Sequence, residues 1–190
     1  MKPVSKLNVR AFLAYMAREY DVTIVTKKSP LYQLIRSAVA AMGIDCAEKW
    51  LDKWCFTLPG MVWLSFVPGD GTTLQLQNQV MTICHEFIHV IQWRRDRAKF
   101  AARYVFRESD RAHYEAEAMH ANLEMAYAFG LKPNLKLLSE SLAAYRVRKE
   151  DIAITLQHLK IYDAVARSGA HAEEITKQAC RWWNIENTAK

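Results

Sequence analysis

The longest regular pattern lies mid-chain, where Val80, Cys84, Phe87, Ile88 and Ile91 recur at the intervals of one helix face. From Thr73 onward the apolar positions keep this helical period. Asp110 is the expected N-cap of a helix from about Arg111 to Phe129, which Gly130 and Pro133 bring to an end. Further helices are expected over Leu135–Val147, Glu150–Arg167 and Ala172–Trp183, with Ser168-Gly169 between the last two. Before Thr73 the pattern is mixed. Asp21–Thr26 has the β-branched content of a short strand. Pro30 can open a helix in which Leu31, Ile35, Val39 and Met42 repeat until Gly43, and another helix is expected over Cys46–Trp54. Cys55–Leu58 and Met61–Val67 flank Pro59-Gly60 as a β-hairpin, and Pro68-Gly69-Asp70-Gly71 turns the chain out of the β-rich part.

These elements predict an α+β protein, with a small N-terminal mixed or antiparallel sheet packed on a mainly helical body. Its central helix lies at about 73–98. The chain reads as one domain over 1–190: an α+β part over 1–70, a central helical part over 71–130 and a helical C-terminal part over 131–190. No repeat, low-complexity tract or Pro/Gly/Ser-rich linker divides it.

Composition narrows the class. Apolar residues make up 51% and charged residues 24% of 190, an ordinary globular balance. The four cysteines, at 46, 55, 84 and 180, have no C-x-x-C spacing. That argues against a disulfide framework and a thiolate zinc site, and for reduced thiols in a cytoplasmic protein. The apolar run Ala11–Ala17 is short, is broken by Tyr15 and lacks a small-residue cleavage site, so no signal peptide is expected. No stretch approaches the roughly 20 apolar residues of a membrane span.

The net charge is +6, and much of the excess sits in Arg94, Arg95, Arg97, Lys99, Arg103, Arg107 and Arg111. Interleaved with Trp93, Phe100, Tyr104 and Phe106, this 94–111 segment could grip a nucleic acid or an acidic partner. The plainer expectation is a solvated helix face with its aromatic residues turned inward.

The segment richest in chemistry is His85-Glu86-Phe87-Ile88-His89, an H-E-x-x-H motif inside the most periodic helix. Residues four apart share a helix face, so two imidazoles can converge on one tetrahedral zinc at about 2.0–2.1 Å each. Glu86 then lies beside the metal without binding it, where it can take a proton from water and return it to a leaving group. A catalytic zinc needs a third protein ligand and leaves its fourth position open. Downstream candidates are His113, Glu115, Glu117, His120 and Glu124. A metzincin frame is excluded, because Gln92 and Arg95 occupy the positions where that frame has glycine and histidine. The segment Tyr114-Glu115-Ala116-Glu117-Ala118 is the better source, its alanines permitting close approach of two helices.

H-E-x-x-H followed by a later E-x-E-A helix resembles the gluzincin group of zinc metallopeptidases. Its small bacterial or phage members include M48-like peptidases and ImmA/IrrE-like regulators. The resemblance covers about Met81–Ala126. It implies a zincin-like fold, a zinc ion held by His85, His89 and Glu115, Glu86 as general base and acid, and a protein or peptide substrate. Many gluzincins carry an aspartate four residues after the ligand glutamate to orient a zinc-binding histidine. Met119 stands there in this chain, so that contact falls to another group, Asp110 or Glu117, or to a backbone carbonyl.

Weaker candidates remain. Met61–Val67 is either an edge strand that pairs an extended peptide or a plain strand of the sheet. Tyr145, His158 and Tyr162 have the chemistry to assist an oxyanion, although helix packing explains them equally. Trp182 and Trp183 read as core, and His171 as an exposed helix-start residue. The expected function is a zinc-dependent hydrolase cleaving peptide bonds. The alternative is a basic nucleic-acid-binding or interaction protein with a structural or vestigial metal site, in which Glu86 would have no purpose.

Overall fold

A computed structural model of the chain describes residues 4–41 and 54–183. The fold is α+β and mostly helical, with one small mixed sheet. The described residues form two compact units, one before Ile83 and one from Ile83 onward.

The N-terminal unit begins with α1 (Lys6–Glu19), whose Ser5 side chain caps the first turn by accepting the Asn8 N–H. Val9, Phe12, Leu13 and Met16 are buried at helical spacing along it. This helix is not among the expected elements, although its period is plain once the whole segment is followed rather than the run Ala11–Ala17. Strand β1 (Thr23–Thr26) and α2 (Pro30–Ala41) match their expected positions. The expected helix over Cys46–Trp54 and the end of the preceding one at Gly43 lie outside the described residues.

Strands β2 (Phe56–Leu58) and β3 (Met61–Leu64) form the expected antiparallel hairpin. The sheet order is β1-β3-β2, with β1 parallel to β3. Met61–Leu64 is therefore the central strand, its two sides paired with Thr23–Thr26 and Phe56–Leu58. It offers no open edge to a peptide, which settles the choice in favour of a plain sheet strand. A small aromatic core covers this sheet, with Trp63 stacked at 4.8 Å on Tyr32 and 5.2 Å on Phe56.

The turn before the motif helix is held by one buried amide. Gly69 N–H donates to Gln79 Oε1 at 2.8 Å, while Gln79 Nε2 donates to the Asp70 carbonyl at 2.6 Å. Gly69 has φ +83, and a Cβ there would lie 2.5 Å from the Lys6 carbonyl oxygen, so no other residue fits. Gln79 belongs to α3 (Thr73–Asp96), the H-E-x-x-H helix, so the entry of this helix is tied to the turn that precedes it.

From Ile83 onward α3 belongs to the C-terminal unit, with α4 (Ala98–Phe106), α5 (Glu108–Ala128), α6 (Leu135–Glu140), a 3-10 turn (Ser141–Tyr145), α7 (Lys149–Arg167) and α8 (Glu174–Trp183). The helix expected at about 73–98 ends at Asp96, and Arg97, whose φ of 51 lies in the left-handed region, separates it from α4. No glycine or proline announces that break. Asp110 is not the cap of α5. That helix starts at Glu108, and Asp110 sits in its first turn, 3.6 Å from Arg107 and 4.0 Å from Arg103, where a carboxylate complements the helix dipole.

Arg111 satisfies two carbonyls that α4 leaves open, donating at 2.6 Å to the Tyr104 and Val105 oxygens, and donates at 2.6 Å to the Tyr145 oxygen of the 3-10 turn. Along α5 and α7 the core comprises Met119, Leu123 and Leu159 with Leu142 and Val147. Tyr127 donates to Asp163 at 2.5 Å across the same pair of helices. Among the described residues no helix is long and apolar enough to cross a membrane.

Candidate metal centre

His85 and His89 stand one turn apart on α3, and Glu115 reaches them from α5. His85 Nε2 lies 3.4 Å from Glu115 Oε2, and His89 Nε2 lies 3.4 Å from Glu115 Oε1. The three side chains are 12%, 7% and 1% exposed, and one ligand atom from each falls within 4.8 Å of the others. Donors about 2.05 Å from one tetrahedral ion lie roughly 3.3 Å apart, so this spacing fits a shared metal. A buried His85–His89–Glu115 group that could hold a metal ion is the first chemical feature of the C-terminal unit.

Hydrogen-bond accounting supports the fit. Gln92, fully buried, donates from Nε2 to the Tyr114 carbonyl and to Glu117 Oε2, both at 2.9 Å. With its amino end committed, Gln92 turns Oε1 to His89 Nδ1 at 2.7 Å, and Nδ1–H must donate there. A neutral His89 then presents an Nε2 lone pair to the Glu115 carboxylate, acceptor against acceptor. Only a cation between them, a proton or a metal, makes that arrangement favourable. Glu115 Oε2 is moreover buried without a hydrogen bond.

Electrostatics agree. Burial opposes charge on His89, yet the Glu115 carboxylate, helped by Glu86, raises its pKa to about 9. Burial likewise opposes charge on Glu115, but the neighbouring His89 and His85 hold it well below the usual carboxylate range. Metal uptake at pH 7 should therefore release about one proton from His89, with apparent affinity rising until about pH 9. Calorimetric titrations in buffers of different protonation enthalpy read this directly. An affinity unchanged between pH 7 and 9 contradicts it.

Two further groups act on the site. Glu86 is buried, and its charge acts on both His89 and Tyr104. Tyr104, on α4, donates a short hydrogen bond to Glu115 Oε1 and packs edge-on to His89 at 5.9 Å. Burial and the adjacent Glu115 push its phenol far above the ordinary range, so it is a donor. The sequence shows Tyr104 only as one aromatic in a basic stretch, and nothing local marks it as part of the site.

The outer partners differ from those expected. Arg95 grips Glu117 at 2.7 and 3.1 Å, and Glu117 orients Gln92, which orients His89. Glu117 thus acts one step behind the imidazole, and Asp110 takes no part. The remaining candidates lie elsewhere. His113 is exposed. His120 contacts Glu124 and Glu173, each at 3.2 Å, and stacks on Tyr162 at 4.2 Å. Glu124 accepts from Ala172 N–H and Thr176 Oγ1–H before α8 and in its first turn. His171, expected to be exposed, is only 10% so, with Nε2 3.4 Å from Cys180 Sγ.

Within the basic segment, Arg95, Arg103 and Arg107 are ion-paired and Arg111 is committed to carbonyls. Phe100 is buried, whereas Phe106 stands 83% exposed. No protein family, curated protein or solved structure matches this chain.

Proposed function

We propose that this protein is a zinc-dependent hydrolase of the gluzincin type, built on a zincin-like pair of helices and acting on peptide bonds. The observation that carries the reading is the buried His85–His89–Glu115 group with a second carboxylate, Glu86, beside it on the same helix turn. A zinc ion bound there would lower the pKa of a coordinated water toward 7 and polarise a carbonyl oxygen. Glu86 would take a proton from that water and pass it to the leaving amine. The Tyr104 hydroxyl, now on Glu115, is a neutral donor that could serve an oxygen gaining charge during the reaction. Gln92 holds His89 with Nε2 turned inward, so that the ring need not reorganise when the ion binds.

A bare pair of histidines and a carboxylate also suits non-haem iron, but Glu86 has no task in such a centre. Elemental analysis of protein purified without added metal should find one zinc per chain, with zinc taken up again after chelation. A screen of unstructured protein substrates should show cleavage that chelation abolishes and zinc restores. Protein containing no zinc and taking none up, or containing iron in its place, counts against this function.

A further inference from the structure

The imidazole without an assigned orienting partner is His85. Asn122 lies two turns beyond Glu115 on α5, a spacing that returns to the same helix face. Its amide nitrogen is 3.3 Å from His85 Nδ1, and its oxygen is buried with no hydrogen-bond partner. In that arrangement Nδ1 accepts and the ring proton sits on Nε2, which lies 3.4 Å from Glu115 Oε2. This is a tautomer for a site without metal. A metal on Nε2 requires the opposite one, with the proton on Nδ1 and an acceptor to receive it.

We propose that Asn122 is the positioning residue for His85: when a metal takes Nε2, the ring proton passes by way of solvent from Nε2 to Nδ1, and the Asn122 amide turns over so that its Oδ1 accepts the Nδ1–H. An amide can do this because its two ends are nearly equal in shape and opposite in hydrogen-bonding sense. His89 needs no such change, since Gln92 is locked in the accepting sense by Glu117 and Tyr114. The two imidazoles are thus held by two neutral amides, one fixed and one able to serve both states. The position four residues after Glu115 holds Met119, which is buried in the core cluster and takes no part. The inference rests on the metal reading above, but it concerns an outer residue whose loss leaves the three proposed ligands in place.

The test compares Asn122→Asp with Asn122→Leu, using zinc affinity measured by chelator competition. Aspartate can only accept, and leucine can do neither. If Oδ1 is the end used with metal bound, Asn122→Asp keeps wild-type affinity or better, while Asn122→Leu loses roughly 10–100-fold. If Asn122→Asp is as weak as Asn122→Leu, or if Asn122→Leu binds like wild type, the assignment of Asn122 is overturned and the metal site stands. If wild-type protein binds no zinc, the metal reading falls and this inference with it. Long-range ¹⁵N–¹H spectra of the histidine rings give a second readout, since a merely structural role leaves the tautomer alone. His85 should carry its proton on Nε2 in metal-free protein and on Nδ1 once zinc is bound. A proton on Nδ1 in both states would rule out the turnover of the amide.

Discussion

Glu86→Gln should abolish most hydrolysis while leaving the metal where it is. The substitution keeps the side-chain size and removes only the carboxylate that accepts and returns a proton, and none of the three proposed ligands changes. Positioned general acid–base groups contribute about 10²–10⁴-fold, so turnover on a substrate the wild type cleaves should drop by at least about 100-fold. Zinc stoichiometry should remain at the wild-type value, and the melting temperature should move little. The inserted amide keeps hydrogen-bonding capacity at a buried position, so a large loss of stability is not expected. Normal turnover in Glu86→Gln protein with zinc bound would remove Glu86 from the mechanism. Loss of zinc together with activity would mean that Glu86 supports the ligands rather than the reaction.

The second large effect is expected from Glu115→Gln. Glu115 is 1% exposed and lies 3.4 Å from both imidazoles, so its charge is the only anionic contribution among the three ligand side chains. Exchanging it for an isosteric neutral group should weaken zinc binding by more than about 100-fold, the upper end of what outer partners typically contribute. The metal-free protein should respond as well. Burial opposes charge on His89, and the Glu115 carboxylate is the main attraction holding that ring at about 9; without it only Glu86 and the Gln92 hydrogen bond work against burial, and the pKa falls. An imidazole with a raised pKa stabilises the folded state most fully below its unfolded value, about 6.5, and that contribution disappears as pH rises through 9. Wild-type metal-free protein should therefore lose stability between about pH 6.5 and 9, and Glu115→Gln should lose less over the same window. Parallel melting curves for the two proteins across that range, or zinc affinity unchanged in the variant, would contradict the role given to Glu115.

Much of this site is legible in local sequence. The spacing of His85 and His89 dictates a shared helix face, because the period of an α-helix is a property of the backbone and needs no tertiary information. The apolar positions around them predict a helix, and the structure has one over Thr73–Asp96. The hairpin around Pro59-Gly60 and the strand near Thr23–Thr26 follow equally from local turn chemistry and β-branched content. What could not be read locally is that both sides of β3 are paired. Pairing partners are chosen across the chain, and β1 from 35 or more residues earlier takes the side that β2 leaves. The break at Arg97 is similar, since a non-glycine residue in the left-handed region is held there by its surroundings rather than by its own preference.

The sequence by itself determined that two imidazoles and a carboxylate lie together on one helix, and that a glutamate-bearing helix follows. Only the tertiary structure decided how the downstream carboxylates divide their roles. Glu115 and Glu117 both reach α3, the first at His85 and His89, the second further along at Gln92 and Arg95. Likewise Tyr104, Gln92 and Asn122 enter the site through contacts 11, 3 and 37 residues apart in sequence, of which only the shortest follows from helix geometry. The physical reason is that ligand spacing along one helix is a local quantity, whereas hydrogen-bond partners depend on the angle and register at which two helices pack. Such packing is set outside the site: the core around Met119, Leu123 and Leu159 holds α5 against α7, and Arg111 ties α5 to the end of α4.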